Sequence, residues 1–430
     1  MSVSPLMPAR PVSRKMKKIL NIILASTLFL PSLTLAQEEP RQNLNESTKS
    51  AVISEVTSIL ETVAFVPGVD FVKWNEILKA NEENLTSVRS PEDLAQTVNK
   101  MFQQFGFSHI LLFSPTAAER RTTNQMVGLG VRIQVEEKGV RVVRVFEDGA
   151  ASVAGIKVGD LIIEADGNPV TDPSKLAGEE GQPVKLKIDR NNVIIEREVV
   201  RKKFAMVIPE ELSWPKPDIA LVTIPSFDAE YDAERVQSLM AKAKDAKGLI
   251  LDLRGNGGGR VINLLHLASF FLTREQPLGT FVDRSVIEKY ASETGNDVSD
   301  VVAVAGWAKT KVMPMRRNKD PFQGKVTVLI DGGTGSASEM MAAALKEHRG
   351  AATIGSKSAG AVLASTMRQL PGGFLLQFPL MDYVTIKGHR LEGSGLVPDV
   401  TAPTPRFGEV DEGLQHALQV LGVGAAMSAA

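Results

Sequence analysis

Two glycine-bearing turns hold the residues of this chain best suited to chemistry. The first, Asp252-Leu-Arg-Gly-Asn-Gly-Gly-Gly259, follows the apolar run Gly248-Leu-Ile-Leu. Consecutive glycines after a buried strand leave backbone N–H groups uncovered, as stabilisation of a developing oxyanion requires. The turn lacks the Gly-Lys-Ser/Thr ending of a phosphate loop and the spacing of a dinucleotide loop, which excludes nucleotide chemistry there. The second, Asp331-Gly-Gly-Thr-Gly-Ser-Ala-Ser-Glu339, follows Lys325-Val-Thr-Val-Leu-Ile. It sets Ser336 where a strand gives way to a helix, with an exposed hydroxyl and a helix dipole that favours negative charge beside it. That suits a nucleophile. Ser336 with Glu339 also matches a capping box, which needs no chemistry.

The elements that must carry these turns alternate in type. Ile219–Ile224, Gly248–Arg254 and Lys325–Ile330 read as strands, and Asp232–Ala243, Val261–Leu272 and Ser336–His348 as helices. That order predicts a largely parallel sheet with helices on both sides. The polar, weakly periodic stretch Thr273–Gln323 is expected to form an excursion over the active-site face. Upstream, Val52, Val56, Ile59, Leu60 and Val63 recur at helical spacing, and Ser90-Pro91 opens a helix that ends at Gly106.

With 430 residues the chain has room for two or three domains. Its 49 basic and 50 acidic residues leave a formal charge of -1, which advertises neither a nucleic-acid nor an anionic-membrane surface. Apolar residues make up 43% and aromatics 5%, so the core must be aliphatic, as in layered α/β proteins. Cysteine is absent, which removes disulfides, thiol nucleophiles and Cys-based metal sites together. Near the start, Arg14, Lys15, Lys17 and Lys18 precede the apolar run Ile19–Leu30 and the small residue Ala36. This reads as a secretory signal cleaved after Ala36, and places the mature chain in the periplasm or outside the cell. The run falls short of the roughly 20 residues that span a bilayer, so no stable membrane anchor is expected after cleavage.

From Gln125 to Lys203 the pattern turns to short strands and glycine turns, with a hairpin turn at Asn191-Asn192. The stretch Ala150 to Gly167, with Ala154-Gly155, Gly159-Asp160-Leu161-Ile162 and Asp166-Gly167, resembles a PDZ domain of the bacterial protease type. That resemblance implies an extended peptide adding beside Gly128, Leu129, Gly130 and Val131, whose N–H groups would capture its terminal carboxylate. A small β-barrel without a ligand is the plainer reading of the same turns.

Taken together, the two catalytic-looking turns, this module and Gly393-Ser-Gly-Leu-Val-Pro-Asp399 resemble the carboxyl-terminal processing protease and tricorn family of serine peptidases, over Thr48 to Thr404. The resemblance implies a multidomain α/β protein with a helical N-terminal segment, a PDZ-like module and a crotonase-like, ClpP-like peptidase core. The expected boundaries are a signal at 1–36, helices over 37–118, the PDZ-like module over 119–204, the core over 205–405, and a helix and tail over 406–430. Carried over by position, Ser336 is the nucleophile and Ser338 a non-catalytic helix residue, with the N–H groups of Ala337 and Gly258 as oxyanion donors. The processing proteases use a lysine base, but Ala361 stands at that position, and Lys357 lies on the other side of Gly360. The tricorn-like branch uses a Ser-His pair and a glutamate, which Ser108, His109 and Glu392 match. Among the five histidines, His389 is the rival of His109, while His266, His348 and His416 fall at structural or helix positions.

The leading expectation is an exported serine endopeptidase acting on protein or peptide substrates, through their C-termini, without metal or organic cofactor. A secreted, inactive peptide-binding scaffold on the same fold is the alternative that the missing lysine favours. An acyl-transfer or isomerase enzyme on the crotonase-like fold is weaker, since it would need neither the serine turn nor the PDZ-like module.

Overall fold

A computed structural model describes residues 44–315 and 320–422 of the chain. The expected signal segment lies outside the described residues. The N-terminal part is helical, with Glu46–Thr62, Lys73–Ala80, Glu82–Ser87 and Pro91–Phe102. Ser90 caps the last of these, its hydroxyl accepting from Asp93 N, with Pro91 in the first turn. A 3-10 turn over Gln103–Phe105 then ends at Gly106, in the left-handed conformation. Phe105 and Phe107 pack on Phe71 with ring centroids 5.4 and 5.7 Å away, which locks the approach to Ser108-His109.

This helical part is not a separate body, because its core includes Leu363, Leu370, Phe374, Leu376 and Phe378 from the far end of the sequence. The strand Leu111–Phe113 pairs antiparallel with Leu375–Thr385, which also pairs with Gly279–Asp283 and Ala364–Gln369. The Asn99 side chain holds that first strand by bonding both the N–H and the carbonyl of Leu112. The expected excursion over 273–323 therefore supplies a strand to this second sheet, with helices Arg284–Thr294 and Val301–Trp307 around a small core of their own.

The β-rich module is a six-stranded antiparallel sheet in the order 131–136, 139–145, 161–165, 183–190, 193–200, with Asn168–Pro169 beside 161–165. Asn191 and Asn192 both take positive φ, as a two-residue hairpin of type I′ requires. Asp160 is buried and ion-paired through both oxygens with Arg190, at 2.7 Å each, which fastens the Gly159-Asp160 turn to the hairpin. The run Val127–Val135 does not form one strand, because it is broken at Leu129-Gly130. Gln125–Gly128 instead pairs with Lys202–Ala205 in a two-stranded ribbon through which the chain enters and leaves the module.

The remaining sheet runs in the order 211–216, 219–223, 248–252, 325–330, 352–355, 400–401, parallel from 219–223 onward. Side chains alternate across it with period two. Leu249, Leu251, Val328 and Ile330 face a core with the helices Ala233–Ala243, Val261–Ala268 and Ala337–Arg349. Ile219, Ile250, Leu329 and Ile354 face the helix Glu412–Val420 on the opposite side. The adjacent strands 248–252 and 325–330 pair Asp252 with Leu329, so their carboxyl ends deliver both glycine turns to one edge.

Candidate active site

Ser336 has φ 52 and ψ -120, far from any ordinary region for a residue with a Cβ. Such strain costs about 1–3 kcal/mol and persists only where the surroundings impose it. They do so here through hydrogen bonds. Ser336 N donates to the Ala361 carbonyl at 2.7 Å and to Glu339 Oε2 at 3.1 Å. Buried Glu339 is more than the cap of its helix, since it also accepts from Ser358 Oγ, Gly360 N and Ala361 N. It thereby stitches the loop after the strand Ala352–Gly355 to the serine turn. Burial pushes its carboxyl upward in pKa, against the pull of those four donors. Ser338 is wholly buried, and its hydroxyl has no partner among the described residues.

The glycine turn lies directly against the serine. A Cβ on Gly258 would stand 2.6 Å from Ser336 Cβ and 2.9 Å from Ala337 N, so no other residue fits. One of the expected donors has a partner of its own in this structure. Gly258 N is already engaged at 2.9 Å by Asn256 Oδ1, because that side chain is buried and must satisfy both ends, its Nδ2 bonding Ile224 O at 2.8 Å. Among the described residues the N–H groups of Ala337 and Gly257 have no such partner.

His109 stands just ahead of the strand Leu111–Phe113 of the other sheet, with φ 60. Its Nδ1 is 2.6 Å from Ser108 Oγ, which donates to Glu392 Oε2 at 2.9 Å. Glu392 Oε1 accepts Ser108 N at 2.7 Å, and Oε2 accepts Val362 N at 2.9 Å, one residue beyond the Ala361 that holds Ser336. Because the Ser108 proton goes to the carboxylate, its oxygen accepts from Nδ1–H, and Nε2 keeps the basic lone pair. Burial, and then the Arg121 cation, lower the imidazole pKa to about 4. It is neutral near pH 7, as a base must be. Burial raises the carboxyl of Glu392, opposed by the Val362 and Ser108 bonds.

A second series of contacts links His109 to the glycine turn. Arg121 lies over the Phe113 ring and pairs loosely with Asp228 at 3.6 Å, and Asp228 N abuts Gly259. No hydrogen bond joins His109 to Ser336 among the described residues; the link between them runs through Ser108, Glu392 and the Ala361-Val362 backbone. The rivals lie elsewhere. Lys357 is exposed, its stem against Gly395. His389 pairs with Glu347 at 3.0 Å, His348 bonds Pro277 O, and His266 is buried against Tyr231.

In the β-rich module Gly128 sits in the entering ribbon, and buried Leu129 gives its carbonyl to Ala151 N at 2.7 Å. Gly130 has φ 77 and packs against Gly149, and its carbonyl accepts from Phe146 N at 2.9 Å. Val131 opens the strand 131–136, whose only strand partner among the described residues is 139–145, so one edge is unpaired.

Sequence reasoning missed three groups: Arg121, the Glu339 hub, and the pairing of Arg254 with Asp411. Arg254 donates to both oxygens of Asp252 at 2.9 and 2.6 Å and to both of Asp411 at 3.0 and 2.8 Å. The two-residue spacing of Asp252-Leu-Arg254 within the first turn was the available signal for the first half of that pair only.

Residues 218–402 match the model of peptidase family S41, and residues 127–200 match that of the PDZ domain. A probable CtpA-like serine protease of Staphylococcus haemolyticus is 28% identical over 292 residues, covering 66% of this chain and 54% of that protein. A protein of the same description from Staphylococcus epidermidis is 25% identical over 355 residues, covering 76% and 68%. The chain thus spans about half the length of the first of these relatives. Among solved structures, the photosystem II D1 C-terminal processing protease superposes with a TM-score of 0.50 at 21% identity, over 87% of this chain and 97% of that one. The tricorn protease gives 0.50 at 16% identity, over 87% of this chain and 37% of its own. These likenesses confirm the fold, with a PDZ module ahead of an α/β core. The chain thus carries a peptidase family S41 domain over residues 218–402, with a PDZ domain over residues 127–200 in front of it.

Proposed function

We propose that this chain is an exported serine endopeptidase that cleaves protein substrates presented through the PDZ domain by their C-termini. The observation that carries this reading is the strained Ser336, pressed against Gly258 and tied through Ala361-Val362 to the Glu392–Ser108–His109 relay. Ser336 Oγ attacks the scissile carbonyl carbon while His109 Nε2 takes its proton. The oxyanion that forms is stabilised by Ala337 N–H and by a glycine amide, that of Gly257 or of Gly258 once Asn256 releases it. His109 then returns the proton to the leaving amine, and water releases the acyl group by the reverse route. Ser108 and Glu392 hold the imidazole in the tautomer this requires. The Val131–Glu136 edge supports peptide addition as an extra strand. Export rests on the basic and apolar pattern around Arg14 to Ala36, and no helix among the described residues is long and apolar enough to cross a membrane.

Ala361 at the lysine position favours the second reading, an inactive peptide-binding protein. A fluorophosphonate probe separates the two. It should label the wild type at Ser336 and leave Ser336→Ala unlabelled, with casein hydrolysis lost in the variant; a wild type that neither labels nor cleaves overturns the peptidase reading.

A further inference from the structure

Residues 404–411 run along the outside of the molecule between the strand Val400–Thr401 and the helix Glu412–Val420, with Phe407 and Val410 exposed. They are fastened at three places. At one end Thr404 Oγ1 donates to Asp331 Oδ2 at 3.3 Å. The other oxygen of Asp331 accepts Gly255 N at 2.8 Å and Gly333 N at 2.9 Å, so this one carboxylate touches both active-site turns. At the far end Asp411 takes two parallel bonds from the Arg254 guanidinium, whose other face grips Asp252. In the middle the segment rests on the PDZ domain. Phe407 N donates to Gln134 Oε1, on the edge strand, at 3.1 Å. The Phe407 ring lies 3.4 Å from where a Cβ of Gly159 would be, and the Arg406 cation acts on Glu136, which is paired first with Arg141.

We infer that Asp411 is a positioning residue for the oxyanion turn, acting through Arg254, and that segment 404–411 makes this positioning depend on how the PDZ domain is seated. A bidentate arginine–carboxylate pair is sensitive to direction as well as distance. Arg254 leads directly into Gly255-Asn256-Gly257-Gly258, so a tilt of its guanidinium moves the amides that meet the oxyanion. Only three residues separate Phe407 from Asp411, and Pro403 and Pro405 stiffen the other arm. A displacement of the strand 131–136, where a peptide would add, therefore reaches Asp411 with little slack. This inference rests on the peptidase reading above.

The test is a kinetic double-mutant cycle on the full chain, with fluorescein-labelled β-casein as substrate and a fluorophosphonate as probe of Ser336. Asp411→Asn should lower kcat roughly tenfold with KM within about twofold, and Asp411→Glu should recover most of the loss. Phe407→Ala, remote from the turns, should lower kcat about three- to fivefold, and the double variant should be no slower than Asp411→Asn alone. Effects that multiply, or an Asp411→Asn enzyme with unchanged kcat, overturn the coupling while leaving the peptidase reading intact. Should Asp411→Asn unfold, the same cycle run with Arg254→Lys, which breaks the same bidentate pair, decides. A wild type that the probe does not label overturns the peptidase reading, and the role of the segment with it.

Discussion

Glu392 holds Ser108 through both of its oxygens, taking the backbone N–H at 2.7 Å and the hydroxyl at 2.9 Å. A residue near the end of the peptidase domain thus orients a pair that lies ahead of the PDZ domain. Glu392→Gln keeps the shape but faces three donors with only one acceptor oxygen. Turnover should fall about 10- to 100-fold, less than the several orders expected for His109→Ala. Lys357→Ala should stay within about twofold of wild type, since this side chain is exposed. Casein hydrolysis by the three variants checks this, and a dead Lys357→Ala would transfer the role of base to the lysine.

The acidic limb of kcat/KM should fall near pH 4 rather than near the ordinary histidine value of about 6.5, because burial and then Arg121 depress the His109 pKa to about 4. Arg121→Gln removes the second cause and should move the limb upward. The stability effect has the same sign. Folding holds the imidazole neutral, so the contribution is complete above about pH 6.5 and is lost as pH falls through about 4. Urea unfolding of wild type and His109→Gln should differ in pH dependence across that window and run parallel above it. Identical profiles would refute the shift.

Gly258→Ala should lower fluorophosphonate labelling by more than about tenfold while leaving the secondary structure intact. The new methyl would sit 2.6 Å from Ser336 Cβ, and the backbone of two turns must part to admit it. Wild-type labelling in this variant would mean that the two turns are not packed together in solution.

Ser336→Gly should abolish hydrolysis and yet raise stability by about 1 kcal/mol, because glycine adopts φ 52, ψ -120 without the Cβ strain. Ser336→Ala retains the strain and should show no such gain. Thermal melts of the two variants measure the difference, and equal midpoints would show that Ser336 is relaxed.

The types of the elements and the chemistry of the turns were legible in the residues themselves. Val326 to Ile330 and Leu249 to Leu251 are apolar runs that only a buried strand accommodates, and Ser90-Pro91, Gly106 and Asn191-Asn192 are boundary signals that act locally. Ser336 could be singled out from its turn, and Ser108, His109 and Glu392 from the resemblance to the tricorn-like branch. Their assembly was not legible. Ser108 and Glu392 are 284 positions apart, and their contact exists because the strand Leu111–Phe113 pairs with Leu375–Thr385 across the whole intervening chain. Strand pairing of that span depends on side-chain packing over two sheets at once, which local spacing does not encode. The same holds for the break at Leu129-Gly130, where Gln125–Gly128 separates from the strand that follows because it finds a partner in Lys202–Ala205. Whether Gly258 offers its N–H was likewise decided in three dimensions, by a buried Asn256 whose two polar ends both had to be satisfied.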